Sequence, residues 1–400
     1  MAMVKAMALK PPMVRGSSVC KFVMRIFIAS GIFHPDSGGP ATYLYKLLPE
    51  LQARGHQVQA LAYGDAPSSG YPYPLRRISF QQNPLLRLAM YANSYRQGAA
   101  WSELVYLNSL GLPRFGARSK PRVMKVVGDY AWERCVNRGF VPQTEDIDQF
   151  QHKRYDARVE FFKWARAREV KNVDHIIVPS HYLRQMVIGW GADPNRVQVI
   201  YNALEREAHD APITKQQARQ QLGWDADGHY LLTVARLTAW KGIDHLIDAL
   251  PHVPNITLVV AGDGPDRGRL EARAKQNRAN VRFLGKVPHE QIDLHMRAAD
   301  YMALYSGYEG LSHTILEALY AGTPVIASAR GGNGEIITDG VNGLLVKHPD
   351  VEALIAALKR AFEDDLPARL ATRTGEGLDR FRWSRLVEQT VAALEAHGQR

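Results

Sequence analysis

Two glutamates with a regular spacing are the strongest chemical signal in this sequence. Glu309 and Glu317 lie eight positions apart, in a segment that ends before the apolar run of residues 324–327. Eight helical residues at about 1.5 Å each would separate the two carboxylates by roughly 12 Å, whereas the carboxyl pair of a glycoside hydrolase is about 5 to 9.5 Å apart. We therefore interpret the pair as two acceptors that bind hydroxyl groups at opposite ends of one elongated ligand. A solvated helix with two ordinary surface glutamates is the alternative.

The segment before Glu317 also predicts a helix N-terminus that could bind an anion. Tyr301 to Tyr305 is predicted to be a strand, Gly310 allows the backbone to turn, and a periodic helix is expected from about Leu311. The first N–H groups of a helix lack acceptors within the helix and attract negative charge. We expect those of Leu311, Ser312 and His313 to face an anion such as a diphosphate.

Two cations are predicted to follow the carboxyl end of another strand. The apolar run Tyr230 to Val234 precedes Arg236 and Lys241, and a helical pattern continues to Leu250. Ligands of open α/β sheets bind beyond the carboxyl ends of the strands. Arginine offers two parallel hydrogen bonds and lysine a point charge, which suits a diphosphate. Solvated loop charges are the alternative interpretation.

The elements that must position these residues alternate along the whole chain, which is typical of parallel α/β layers. In the N-terminal half the predicted strands are Arg25 to Ser30, Gln57 to Tyr63, Leu104 to Leu107, Arg122 to Val127, His175 to Pro179 and Val197 to Tyr201. In the C-terminal half they are Tyr230 to Val234, Ile256 to Ala261, Val281 to Leu284, Tyr301 to Tyr305, Pro324 to Ala327 and Leu344 to Val346.

The segment from about Tyr230 to Lys347 resembles the donor domain of family 4 retaining glycosyltransferases of the GT-B fold. An ordered series of landmarks carries the resemblance: Arg236 with Lys241, residues 262–265, 280–285, 309–317 and 322–324, Gly331-Gly332 with Glu335, and residues 340–343. Weaker similarity covers residues 28–39, 178–183 and 199–202. The implied fold class is α/β, with two Rossmann-like, doubly wound parallel-sheet domains that face a central cleft.

This fold implies a division of the chain into four parts. Residues 1–23 are basic but lack the apolar core of a signal peptide, so we expect a mobile extension there. Residues 24–205 are expected to form the acceptor-binding domain and residues 206–375 the nucleotide-sugar donor-binding domain. The polar residues 202–215 contain the expected linker. Residues 376–400 are expected to form a helix that packs back on the N-terminal domain.

The resemblance also implies roles for individual residues. Arg236 and Lys241 would bind the donor diphosphate, Glu317 the ribose hydroxyls, and Glu309 the transferred sugar. The implied donor-binding set is Gly38, Gly39, Arg236, Lys241, Gly285, Lys286, Glu309, Gly310, Leu311, Ser312, His313 and Glu317, with the backbone near Gly285 and Lys286 at the base and the two N-terminal glycines at the phosphates.

The sequence departs from the family pattern near the reacting sugar. Many members carry a histidine after the strand that corresponds to Arg122 to Val127, and this chain has Gly128-Asp129 there. We predict that Asp129 substitutes for it, by orienting the acceptor hydroxyl or stabilising positive charge as the sugar bond loosens. Ser312 occupies a position often held by glycine, and Gly334 one where proline is usual. The predicted catalytic set is Asp129, Glu309, Arg236 and Lys241.

The implied activity is a retaining glycosyltransferase that moves a sugar from a UDP- or GDP-sugar to an acceptor hydroxyl, in the synthesis of a glycan, a glycolipid or a cell-envelope polysaccharide. The resemblance suggests front-face attack in which the leaving phosphate takes the acceptor's proton. Asp146 and Asp148 form an Asp-x-Asp pair but follow no clear strand, so we expect no metal and no cofactor besides the donor. Two alternatives stay open: a sugar-nucleotide epimerase of the same fold, and a non-catalytic nucleotide-sugar or polyanion binding protein.

Positive charge is concentrated in the N-terminal half of the chain. Residues 1–205 contain 27 Lys and Arg against 15 Asp and Glu, a net charge of +12, while the whole chain carries +10. No nucleic-acid-reading module is visible, so we expect a sugar, lipid-linked or anionic acceptor, or an acidic membrane surface, and no nucleic acid. Tyr155 to Lys171 is a candidate docking helix with Phe161, Phe162 and Trp164. An ordinary helix whose aromatic residues face the core is the alternative.

Composition sets the remaining limits. The 400 residues, 46% of them hydrophobic, suffice for two domains with separate cores. Cys20 and Cys135 are too few for a disulfide framework, and no apolar run of about 18 residues predicts a spanning helix. We therefore expect a cytoplasmic protein, or one bound peripherally at the inner face of the membrane.

Overall fold

Apolar runs form the strands of two separate parallel sheets, and the central strands are buried on both faces. The computed structural model describes residues 23–35, 39–114, 120–204, 213–363 and 365–399. The first sheet contains β1 Arg25–Ala29, β2 Gln57–Tyr63, β3 Leu75–Ile78, β4 Leu104–Leu107, β5 Arg122–Lys125, β6 His175–Val178 and β7 Val197–Val199. The second contains β8 His229–Val234, β9 Ile256–Ala261, β10 Val281–Gly285, β11 Tyr301–Leu304, β12 Val325–Ser328 and β13 Gly343–Val346.

Helices cover both faces of each sheet. In the first half of the chain they are α1 Gly39–Ala53, α2 Pro84–Trp101, α3 Tyr130–Asn137, α4 Ile147–His152, α5 Ala157–Lys171 and α6 His181–Gly189. In the second half they are α7 Lys215–Leu222, α8 Ile243–Ala249, α9 Arg267–Gln276, α10 His289–Ala298, α11 His313–Tyr320, α12 Val351–Ala361, α13 Leu366–Ala371 and α14 Trp383–Gly398. Within the described part of the chain, none of these helices is long and apolar enough to cross a bilayer.

Both sheets reverse their strand order at an interior position. The orders are β3-β2-β1-β4-β5-β6-β7 and β10-β9-β8-β11-β12-β13, and all strands are parallel. The chain builds each sheet outward from β1 or β8, then returns to the other side of that strand. The connections on either side of such a switch point separate and leave a crevice at the carboxyl ends of the strands. The predicted class of two doubly wound parallel-sheet domains is confirmed.

The last helix belongs to the core of the first domain. Leu386, Val387 and Leu394 of α14 are buried in one cluster with Met24 and Leu104. Apolar residues on one face of an amphipathic helix are stabilised by such burial. Along the sequence, the second domain is therefore flanked on both sides by segments that belong to the first domain.

One strand of the first sheet, β3, was not predicted from the sequence. The strand β3 has the sequence Leu-Arg-Arg-Ile and lies at the edge of the first sheet, where charged residues are tolerated and the apolar pattern is weak. Residues 1–22 of the predicted extension and residues 205–212 of the predicted linker lie outside the described residues.

The aromatic residues of α5 are divided between the core and the surface. Phe162 packs against the core of the first domain, whereas Phe161 and Trp164 have exposed fractions of 57% and 56%. The interpretation in which all three face the core is therefore wrong for two of them. These two rings are available for contact with a partner.

Candidate active site

The two domains enclose a cavity of about 380 Å³ at the carboxyl ends of their strands. The first domain contributes Gly39, Tyr43, Lys125, Val127, Glu133 and Asn202 to its wall. The second domain contributes residues after β8, chiefly Arg236, Trp240 and Lys241, and the run of residues 308–314 after β11. The cavity therefore lies at the switch point of the second sheet, between its neighbouring strands β8 and β11.

The two sides of this switch point carry opposite charges that meet. The ammonium group of Lys241 donates a hydrogen bond of 2.6 Å to Oε1 of Glu309. Arg236 lines the same cavity and has an exposed side chain. Each of these residues was predicted for the site from its position after a strand, and the parallel pairing of β8 with β11 brings them together.

Close backbone packing holds the loop that carries Glu309. A Cβ on Gly310 would lie 2.6 Å from the carbonyl oxygen of Val127, so only glycine allows this contact between the two domains. On the other side, Gly331 has φ of +61° and Gly332 donates a hydrogen bond of 2.9 Å to the carbonyl of Glu309. The carboxylate of Glu309 is thereby held at the mouth of the crevice.

The helix N-terminus at the cavity starts two residues later than predicted. The helix α11 begins at His313, and Ser312 is its N-cap, with Oγ accepting a hydrogen bond from the N–H of Ile315. The N–H groups of His313 and Thr314 therefore have no acceptor within the helix. The prediction that the N–H group of Leu311 belongs to the helix N-terminus is wrong, because Leu311 precedes the N-cap residue. It lines the cavity but lies outside the helix.

His313 is held neutral between the domains. Burial, aided by the charge of Lys125, lowers its pKa to about 4. A Cβ on Gly39, the first residue of α1, would lie 3.3 Å from the imidazole carbon Cδ2. The N-termini of α1 and α11 therefore approach each other across the cavity, and both present partial positive charge to it.

Asp129 does not occupy the predicted catalytic position. It is the N-cap of α3, fully buried, with Oδ1 accepting hydrogen bonds from the N–H groups of Ala131 and Trp132. Its other oxygen accepts from Gln151 and from the guanidinium of Arg166. A carboxylate with all these partners is a structural cap and ion pair. The prediction that Asp129 contacts the acceptor or the sugar is not supported by this position.

Glu133, four residues later, is the carboxylate that faces the cavity. The pKa of Glu133 is raised to about 7, chiefly because the surrounding protein removes water from its carboxyl group. The charge of Asp129 contributes to this increase, and that of Lys241 opposes it. The side chain of Glu133 stays accessible through the cavity. Glu133 was not predicted from the sequence. It lies four residues, or about one helical turn, after the N-cap Asp129, so both side chains lie on the same side of α3.

Two aromatic rings of the second domain, Trp240 and Tyr308, line one side of the cavity, and Trp132 of the first domain packs against both. Trp132 packs edge to face against Trp240 at 5.5 Å and against Tyr308 at 5.7 Å between ring centroids. The buried hydroxyl of Tyr308 has no hydrogen-bond partner among the described residues. It lies beside Gly128, whose Cβ would be 3.3 Å away. An apolar wall with one unpaired hydroxyl suits a ligand that presents a polar group there.

Three predicted donor-binding residues lie outside the walls of this cavity. Glu317 is in the second turn of α11, where burial raises its pKa and His289 lowers it. Gly285 ends β10 and the exposed Lys286 follows it, at the edge of the second sheet. Gly38 lies outside the described residues, whereas Gly39 lines the cavity.

The Asp-x-Asp pair forms a contact between the domains. Asp146 and Asp148 both pair with the guanidinium of Arg330, which follows β12. Nearby, the carboxylate of Glu335 accepts hydrogen bonds of 2.9 Å from the N–H groups of His181 and Tyr182 at the start of α6. These contacts hold the two domains together beside the cavity.

Two family models divide the chain between them. Residues 37–208 match the model described as Glycosyltransferase Family 4, and residues 214–377 match the model described as Glycosyl transferases group 1. The chain belongs to the family 4 glycosyltransferases. The predicted family is confirmed.

Curated relatives match part of this glycosyltransferase. An uncharacterised glycosyltransferase, MJ1607 of Methanocaldococcus jannaschii, is 30% identical over 54% of this chain and 58% of its own. A D-inositol 3-phosphate glycosyltransferase of Xylanimonas cellulosilytica is 33% identical over 52% of this chain and 53% of its own. The matched regions thus span little more than half the length of these relatives.

Solved structures match almost the whole chain. Sucrose-phosphate synthase from Thermosynechococcus elongatus has a TM-score of 0.75 at 23% identity and covers 93% of this chain and 98% of its own. Anabaena HepE in complex with UDP and glucose has a TM-score of 0.73 at 22% identity, covering 93% and 100%. Likeness at this identity establishes the fold alone, and it confirms the GT-B architecture.

Proposed function

We propose that this glycosyltransferase moves a sugar from a nucleotide-diphosphate sugar to an acceptor hydroxyl with retention of anomeric configuration. The observation that carries the proposal is the meeting of Arg236, the Lys241–Glu309 ion pair and the α11 N-terminus at one switch point. Cations and free N–H groups at one side of a carboxylate suit a ligand that joins a diphosphate to a polyhydroxy ring.

The diphosphate would bind between the cations and the first turn of α11. Arg236 and Lys241 approach from β8, and the N–H groups of His313 and Thr314 approach from β11. As the sugar–phosphate bond breaks, negative charge grows on the leaving phosphate. Fixed cations and backbone dipoles stabilise that charge without having to reorganise at the moment of reaction.

The nucleoside would extend from the switch point toward the edge of the second sheet. The strand β10 lies two positions from β8, which is roughly 10 Å at the usual strand spacing. In this arrangement Glu317 binds the ribose hydroxyls, and the backbone at Gly285 and Lys286 contacts the base. A nucleoside that extends roughly 10 Å from the switch point would contact Glu317, Gly285 and Lys286 outside the central cavity.

The transferred sugar would lie between Glu309 and the first domain. Glu309 binds its hydroxyl groups, and Glu133 faces it or the acceptor from the opposite wall. The acceptor hydroxyl attacks the anomeric carbon on the side of the departing diphosphate and passes its proton to the leaving phosphate oxygen. The aromatic wall of Trp240 and Tyr308, supported by Trp132, would limit the entry of water, which would otherwise hydrolyse the donor.

Donor preference can be tested directly. The likeness to HepE, solved with UDP and with UDP-glucose, makes UDP-glucose the first donor to test, beside GDP- and ADP-sugars. Thermal shift identifies a binding donor, because a ligand at 100 times its Kd adds about 2.7 kcal/mol to the free energy of unfolding. Transfer is then followed by proton NMR with a panel of sugar, sugar-phosphate and lipid-linked acceptors.

The expected result is donor consumption that needs an acceptor and a product with the donor's anomeric configuration. The double variant Arg236→Ala/Lys241→Ala is the inactive control. Conversion of the donor without any acceptor would instead identify an epimerase, and donor binding without turnover a binding protein. An inverted product would contradict retention.

A further inference from the structure

A buried lysine in the first domain has no role in the reaction described above. Lys125 is the last residue of β5 and is only 2% exposed. Its ammonium group makes no hydrogen bond to any described residue. Burial lowers its pKa to about 7, and no neighbouring carboxylate offsets this effect. Buried polar groups are nearly always paired, so an unpaired ammonium group indicates a missing partner.

The immediate surroundings of Lys125 are polar but neutral. Its Nζ lies 3.7 Å from the centroid of the Tyr43 ring, over the aromatic face. The hydroxyl of Tyr43 forms a 2.7 Å hydrogen bond with that of Tyr106. Burial raises the pKa of Tyr43 to about 12, so this ring carries no charge near neutral pH. A cation–π contact attracts the ammonium group but does not satisfy its hydrogen-bond donors.

The side chain of Lys125 borders the cavity. It forms part of the cavity wall together with Gly39 at the start of α1 and His313 at the start of α11, and its charge helps to lower the pKa of His313. Both helix N-termini bring partial positive charge to the same place. Lys125 and the two helix N-termini bring three positive elements to one part of the cavity. Of the two carboxylates in the cavity wall, Glu309 pairs with Lys241, and neither forms a hydrogen bond with the Lys125 ammonium group, so this arrangement suits an anion.

We propose that Lys125 binds a phosphate oxygen of the ligand from the first domain, opposite Arg236 and Lys241. The proposal rests on the proposed function for the identity of the ligand, because a diphosphate at the start of α11 lies within this part of the cavity. A phosphate group on the acceptor would present the same chemistry. In either case the ammonium group of Lys125 obtains the acceptor that the protein does not provide, and the ligand draws the two domains together.

The variant Lys125→Met separates this role from a structural one. Methionine has a similar length and no charge, so the variant should fold with an unchanged or higher Tm while losing phosphate affinity. Lys125→Gln serves as a second variant with a neutral polar head. Lys359→Met, on the exposed face of α12, is the matched control for the loss of one lysine.

Calorimetry with UDP and with inorganic phosphate identifies the source of the phosphate. If Lys125 binds the donor diphosphate, UDP affinity should fall ten- to hundredfold in both Lys125 variants and stay unchanged in Lys359→Met. If it binds an acceptor phosphate, UDP affinity should be unchanged, while inorganic phosphate binding to the UDP-saturated protein should be lost. Either loss supports the proposal.

Unchanged affinity for UDP and for phosphate in both Lys125 variants would overturn the proposal, as would a wild-type protein that binds neither probe. A failure of the proposed function would give a different result. If the protein binds inorganic phosphate through Lys125 but transfers no sugar, the phosphate site is supported and the proposed sugar transfer is contradicted.

Discussion

Lys241 and Glu309, 68 positions apart, form a direct ion pair with 2.6 Å between Nζ and Oε1. In the proposed function Lys241 binds the diphosphate of the donor and Glu309 binds its sugar. Under this proposal, their pairing would place the diphosphate and the sugar side by side, at the bond that the transfer breaks. Lys241 and Glu309 are already paired with each other. A donor that binds both residues therefore adds little to the free-energy cost of removing their charges from water.

The cations at the switch point should control donor binding. Arg236→Ala and Lys241→Ala should each weaken donor affinity and kcat/KM ten- to hundredfold, since a charged hydrogen bond is worth about 1.5 to 3 kcal/mol. The fold should be unaffected, because both side chains point into the cavity. Steady-state kinetics with calorimetry measures this, and Lys275→Ala on the exposed face of α9 is the control. Wild-type kinetics in both variants would remove these residues from the site.

Glu309 and Glu317 should divide the donor between them. Glu317→Ala should weaken binding of the nucleoside diphosphate itself, because its proposed partners are the ribose hydroxyls. Glu309→Ala should reduce sugar transfer but leave UDP affinity equal or higher, because Lys241 then loses its competing carboxylate. Calorimetry with UDP compares the two. Equal losses of UDP affinity would disprove this division.

Glu133 should make activity depend on pH near neutrality. Desolvation by the surrounding protein raises its pKa to about 7, so the ionised fraction of the side chain should increase as the pH rises through neutrality. If the carboxylate accepts a hydrogen bond from the sugar or the acceptor, kcat/KM should rise with this fraction in the wild type. Glu133→Gln should flatten the profile, whereas Asp129→Asn should mainly lower Tm. An unaltered pH profile in Glu133→Gln would exclude the role.

Lys125 should also make stability depend on pH. Its folded-state pKa of about 7 lies below the usual value of 10.5, so between these pH values the unfolded chain binds the extra proton. Stability therefore rises with pH over this window and is lost as pH falls toward 7. The Tm advantage of Lys125→Met should be greatest near pH 7 and shrink toward pH 10. A difference that is constant with pH would indicate that Lys125 is not buried as described.

The exposed aromatic residues of α5 should mediate contact with an acidic membrane surface. Phe161→Ser/Trp164→Ser should reduce co-sedimentation with anionic vesicles, because both rings are exposed among basic residues. About 0.5 M salt should have a similar effect on the wild type, since it screens surface charge within a few Å. Leu284→Ser, an exposed apolar residue on the second domain, is the control. Vesicle binding that is indifferent to the substitutions and to salt would exclude this surface.

The sequence by itself determined the buried strands and the residues at their ends. Strands such as Ile256–Ala261 are buried on both faces, so they consist of continuous apolar runs that are visible without any partner. Residues that follow such strands, including Arg236, Lys241 and Glu309, share one edge of the sheet because the strands are parallel. The edge strand Leu75–Ile78 was missed, because exposed strands do not require an apolar pattern.

Only the tertiary structure decided which charged side chains are free to act. Asp129 and Glu133 lie four residues apart, and their roles differ because Arg166 from α5 neutralises the first, 37 positions away in the chain. Lys125 lies in a strand that the sequence predicts, but only the fold shows that its ammonium group contacts the ring of Tyr43, influences His313 on another helix and has no hydrogen-bond partner among the described residues. Pairing and desolvation are set by contacts between distant segments, which local sequence patterns do not encode.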